Sequence, residues 1–76
     1  MGLYMGYQRS YVVLYRREDI MAPADPPFAF KCIAEDTDHA KEQLLNADPD
    51  GVIVWVVQTD DPEVAYSDYW NVGETA

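Results

Sequence analysis

Asn46, Asp48 and Asp50 place side-chain oxygens at alternate positions ahead of Gly51. That is the opening half of a calcium loop, in which hard oxygen ligands ring the ion and a glycine permits the sharp turn. The closing bidentate carboxylate is missing, because Val57 occupies its position within an apolar run from Val52 to Val57. A helix stopped by Pro49 and a turn at Asp50-Gly51 account for the same residues without an ion. Asp60, Asp61 and Glu63 form a second oxygen cluster, yet no Lys or Arg accompanies it to meet a phosphate substrate. His39, the one histidine, stands beside Asp36 and Asp38 with no nucleophile to serve and reads as a solvated side chain. Cys32, the one cysteine, alternates with Phe28 and Phe30, the setting of a buried inert thiol, and it excludes an intrachain disulfide. The expectation is a protein with no catalytic centre, no metal and no cofactor, and so not an enzyme.

What the polar residues do carry is charge with a direction. Eleven of the fourteen acidic residues follow Ala34, where Lys41 is the single base; before it, Arg9, Arg16, Arg17 and Lys31 face Glu18, Asp19 and Asp25. The chain totals −9, with all of the excess in its second part. Nucleic acid and anionic membrane are thereby disfavoured as direct ligands, since both require Lys or Arg to displace counterions from phosphates. A partner with a basic surface is favoured. The four early cations, even interleaved with Tyr11 and Tyr15, are too few for RNA, and Arg16 and Arg17 are expected to pair with Glu18, Asp19 or the acids of a second copy.

The elements that must position these charges are short. Seventy-six residues make one small domain, 1–76, with flexible ends expected over 1–9 and 71–76. Ser10 to Arg16 holds five consecutive β-branched, aliphatic or aromatic residues, the composition of a strand buried on both faces. Pro23, Pro26 and Pro27 make 18–27 a loop. Phe28 to Ala34 alternates, with Phe28, Phe30, Cys32 and Ala34 on one side and Ala29, Lys31 and Ile33 on the other, which predicts a second strand. Asp36, Thr37 and Asp38 are helix-start residues, and Ala40, Leu44 and Ala47 continue a narrow apolar stripe as far as Pro49. Val52 to Gln58 is a third strand. Asp61-Pro62-Glu63 starts a short aromatic helix, or failing that an arm, with Tyr66, Tyr69 and Trp70 on one face. The fold class is α+β: β-β-α-β, a three-stranded, mainly antiparallel sheet with one helix on one face and the aromatic segment at the end. The single cysteine and the lack of a signal peptide or long apolar run lead us to expect a soluble cytoplasmic protein.

This order has a geometric consequence. The helix returns the chain to the end at which the second strand began, so the second and third strands finish at a common end of the sheet. Glu35, Asp36 and Asp38 should meet Asp60, Asp61 and Glu63 at one rim, while Glu18, Asp19, Asp25, Asp48 and Asp50 gather at the other. Like charges at such spacing repel and give folding nothing, leaving solubility or a surface that imitates nucleic acid to explain the first rim. One helix also leaves one sheet face bare, either the Tyr11, Val13, Tyr15 row or the Val12, Leu14 row. The aromatic segment covers it, or a second copy does, in which case Tyr11, Val13 and Tyr15 are the candidate dimer contacts.

The β-β-α-β order, the small size, the acidity and the run Phe28-Ala-Phe-Lys-Cys-Ile-Ala-Glu-Asp-Thr-Asp-His-Ala-Lys together resemble small bacteriophage proteins that disable host machinery. These are anti-CRISPR proteins and phage inhibitors of bacterial RNA polymerase. The resemblance spans roughly Tyr11 to Gln58 and carries over no functional residue. It implies binding to a Cas protein or surveillance complex at its DNA-binding surface, or plugging of a polymerase DNA channel. The reading from sequence is an inhibitor that binds a basic, nucleic-acid-handling host protein through Glu35, Asp36, Asp38, Asp60, Asp61 and Glu63, with Tyr66, Tyr69 or Trp70 as apolar anchors. The alternative is a self-associating structural or adaptor module whose acids serve only solubility.

Overall fold

Tyr11, Val12, Val13 and Leu14 are all buried, so the strand that carries them can only lie in the middle of the sheet. In the computed structural model, which describes residues 8–75, it does. The elements are β1 (Arg9–Arg16), β2 (Phe28–Ala34), α1 (Thr37–Ala47), β3 (Val52–Val57) and α2 (Pro62–Thr75), and the sheet order is β2-β1-β3. Both pairings are antiparallel, which makes this an α+β fold with an open sheet. Arg9, expected in a flexible end, is the first residue of β1, and 71–75, expected to be flexible, continue α2. The same expectation for 1–7 and for Ala76 lies outside the described residues.

Each face of the sheet supports its own apolar cluster. Tyr11, Val13 and Ala34 pack with Ala40 and Leu44 of α1, joined by Tyr15, Phe30, Cys32, Ile53 and Val56. On the other face Val12 and Leu14 pack with Ala65 of α2, joined by Ala29, Val54, Trp55, Val57, Tyr66 and Tyr69. The aromatic segment is therefore the cover of the second face. The row Tyr11, Val13, Tyr15, expected as a dimer contact, lies under α1, with Tyr11 4% and Val13 0% exposed, so it is core and not interface. Full burial of side chains such as Leu14 and Leu44 stabilises by about 1.5–3 kcal/mol each.

The third strand breaks its own alternation. Leu14 pairs with Trp55 and Tyr15 with Ile53, so Val54 is an extra residue without an opposite. Such a bulge re-aims the side chains that follow. Here it turns Trp55 toward α2, where its indole N–H donates to Asp68 Oδ2 at 2.8 Å. Before β3, space at Gly51 is tight: a Cβ there would lie 3.0 Å from the Tyr15 ring and 3.3 Å from Leu44.

Side chains close the connections. Arg16 donates to Glu18 and to the carbonyls of Ala22 and Asp25, gathering the proline-rich loop around one guanidinium. The Tyr66 hydroxyl donates to the Pro27 carbonyl, tying the same loop to α2. Among the described residues no helix is long and apolar enough to cross a membrane.

Candidate functional site

Because β2 and β3 both run antiparallel to β1, they are parallel to each other. Ala34 stands opposite Arg9 and Val57 opposite Val12, which puts both outgoing ends at the start of β1. Two strand spacings, about 10 Å, separate them. The loops carrying Glu35, Asp36 and Asp38 and carrying Asp60, Asp61 and Glu63 therefore leave the same end of the sheet. Asp60 comes closer still: with Ser10, Tyr11, Lys31, Cys32 and Ile33 it lines one hollow that reaches across β1 to β2. Arg9 opens β1 at this end. The ion pairs formed among the described residues involve none of these six carboxylates.

Four of the six have work in the fold. Asp36 caps α1, its Oδ1 accepting from the His39 backbone N–H at 2.8 Å, and Asp61 caps α2, its Oδ1 accepting from the Glu63 N–H at 3.0 Å. Asp38 and Glu63 lie in the first turns of these helices, where the helix dipole favours an anion. This corrects the expectation that folding draws nothing from the rim. Glu35 and Asp60 remain without such a role. The Glu35 backbone N–H donates to His39 Nδ1 at 3.2 Å, and Gln43, which donates to the Ile33 carbonyl at 2.7 Å, lies 3.4 Å from His39 Nε2. His39 is half-buried and braces the corner from β2 into α1, which corrects the expectation of a solvated side chain.

At the opposite end four of the five acids are drawn into ion pairs. Arg17 donates to Asp19 at 2.7 and 2.9 Å and to both oxygens of Asp48 at 3.2 Å, with Asp50 at 3.8 Å. The hydrogen bond from Arg17 holds the Asp19 carboxyl below its ordinary range, and the same bond pushes the guanidinium up. Arg16 and Arg17 pair with Glu18 and Asp19 as expected. The half-loop at Asn46–Gly51 is a helix end and turn: the Asp48 N–H donates to the Leu44 carbonyl, and the Gly51 N–H to that of Asp48. Among the described residues no group of three His, Cys, Asp or Glu side chains is placed to hold a metal.

The aromatic anchors are redistributed. Tyr66 and Tyr69 pack half-buried into the α2 cluster; burial pushes the Tyr66 phenol up. Tyr69 lies between two indoles, its ring centre 6.2 Å from Trp55 and 4.8 Å from Trp70. Trp70 alone of the three is exposed, at 50%. Its position on α2, eight residues after Pro62, sets it about 12 Å along the helix from the rim. Cys32 is half-buried, and its burial raises the thiol, as an inert cysteine requires.

Comparison of the chain with protein-family models, curated proteins and solved structures finds no match.

Proposed function

We propose that this chain is a non-enzymatic inhibitor that presents a nucleic-acid-mimicking acidic surface to a basic, nucleic-acid-handling protein. The reading places it in the bacterial cytoplasm, as a phage product directed at host machinery such as a CRISPR-Cas effector. One observation carries it: four of the acids at one end of the sheet are drawn into ion pairs with Arg16 and Arg17, while the six at the other form no ion pair among the described residues. The result is a negative field least compensated at the end of the six, which accelerates encounter with a positive groove and discriminates against neutral surfaces. Capping explains Asp36 and Asp61, and helix dipoles explain Asp38 and Glu63, but Glu35 and Asp60 add charge without local return. A self-associating adaptor would use a sheet face, and α1 and α2 occupy both.

The test is affinity capture from a bacterial lysate at low and then high salt, with Glu35→Lys/Asp60→Lys beside the native chain. These two positions are chosen because reversing Asp36 or Asp61 would also remove a helix cap. A captured nucleic-acid-binding protein that is lost at high salt and lost in the double variant supports the reading. Equal capture by both chains, or capture insensitive to salt, refutes it.

A further inference from the structure

The sheet has two open edges, and they differ. The outer edge of β2 carries an exposed Lys31 in mid-strand, follows Pro26-Pro27, and has its Ile33 carbonyl occupied by the Gln43 amide at 2.7 Å. Charge, proline and a side-chain plug are the devices by which sheets discourage a further strand. The edge strand β3 has neither charge nor proline between Val52 and Val57, and the bulge at Val54 is the one such device in it, leaving Trp55 to Val57 in regular register with β1. Val52 is 50% exposed. A hollow runs beside this edge, lined by Thr37 and Lys41 of α1 and by Ile53, Val54, Trp55 and Val56.

Charge around the edge selects its occupant. Asp50, its side chain 75% exposed and in contact with Arg17 only at 3.8 Å, precedes the strand, and Asp60 and Asp61 follow it, so an apolar strip is bracketed by carboxylates. Beside its middle stands a single cation, Lys41. A second copy fits poorly: antiparallel pairing of two β3 strands would bring Asp50 of one toward Asp60 and Asp61 of the other, and parallel pairing would set like upon like. We propose that β3 accepts a segment of the target protein as a fourth strand, apolar and β-branched in its middle and carrying Lys or Arg at both ends. The ladder of backbone hydrogen bonds supplies affinity, and the flanking acids supply selection. This rests on the reading that the target is basic, and it adds where and in what conformation the target docks.

The probe is the peptide Lys-Arg-Val-Thr-Val-Thr-Val-Arg-Lys, added to the full chain and followed by amide chemical shifts and hydrogen exchange. The expected result is saturable binding, with shifts and slowed exchange concentrated in Val52 to Val57. Replacing the four basic residues of the peptide by Glu, or N-methylating alternate backbone amides of the original, should each weaken binding about tenfold or more. Undiminished binding of the N-methylated peptide, or shifts confined to the acidic rim, would show attraction without strand addition and overturn the proposal. So would the absence of binding at about millimolar peptide, or concentration-dependent self-association that protects β3 with no peptide present. If a captured target is released by Glu35→Lys/Asp60→Lys yet the peptide does not compete with it, the edge proposal fails while the acidic-rim reading stands.

Discussion

The bond from the Tyr66 hydroxyl to the Pro27 carbonyl joins positions 39 residues apart, and Pro27 is buried. Removing the donor leaves a buried acceptor unsatisfied, so Tyr66→Phe should cost about 1–3 kcal/mol by chemical denaturation. A variant as stable as the native chain would show that water replaces the bond. Asp19 gives a pH signature. Its carboxyl titrates lower in the folded chain than in the unfolded one, so the stabilisation is present above the unfolded value, about 3.9, and is lost as pH falls through the folded value. In Asp19→Asn the decline of stability below about pH 4 should be shallower than in the native chain; identical acid profiles would contradict this role. At this scale the sequence was half legible. The spacing of two residues in Arg16–Glu18 and Arg17–Asp19 is visible in any strand end, but the reach of Arg17 to Asp48, 31 residues away, exists only once α1 has returned the chain. The bracing part of His39 is hidden for the same reason, since its partners are a backbone amide at a corner and a glutamine one turn on.

Among elements, β2 was readable because Phe28 to Ala34 alternates, whereas β1 and β3 are apolar at nearly every position and so conceal which row meets which helix. Continuous apolar sequence also hides the bulge at Val54, for no polar residue marks the change of side. The assignment is made by docking: α1 takes the Tyr11, Val13, Tyr15 side, and α2 takes Val12 and Leu14. The apparent anchors Tyr66 and Tyr69 were drawn inward by the same event, since a bare apolar face and an aromatic helix in one small chain satisfy each other first. Ala65 is fully buried where α2 packs on Val12 and Leu14 of the sheet. Ala65→Leu should therefore overpack the contact and cost about 1–3 kcal/mol. Exposed Ser67, one helical step away, should accept Leu with a change of about 0.5 kcal/mol or less. Denaturation midpoints of the two variants compare them directly. Equal effects would mean that α2 does not hold the second face.

The whole molecule joins two ends of opposite electrostatic design on one three-stranded sheet. At the end holding Arg16 and Arg17 every acid drawn into an ion pair is local or brought by the α1–β3 turn, and charge there closes the structure. At the other end the carboxylates serve as caps and dipole partners in part and otherwise oppose one another across about 10 Å, near the Debye length of about 8 Å at physiological salt. Stability and binding should consequently separate by residue. Asp36→Ala and Asp61→Ala each remove a cap and should cost about 1 kcal/mol. Glu35→Gln/Asp60→Asn removes two carboxylates that form no ion pair among the described residues, so it should leave stability unchanged or raise it by about 0.5 kcal/mol. The native chain should gain urea midpoint between about 20 mM and about 500 mM salt, and the double variant should gain less, because screening then has less repulsion to relieve. The same double variant should bind the captured target more weakly and with a shallower dependence on salt. If it instead unfolded at lower urea than the native chain, Glu35 and Asp60 would have to be stabilising contacts, and the excess charge at this end would need no partner to account for it.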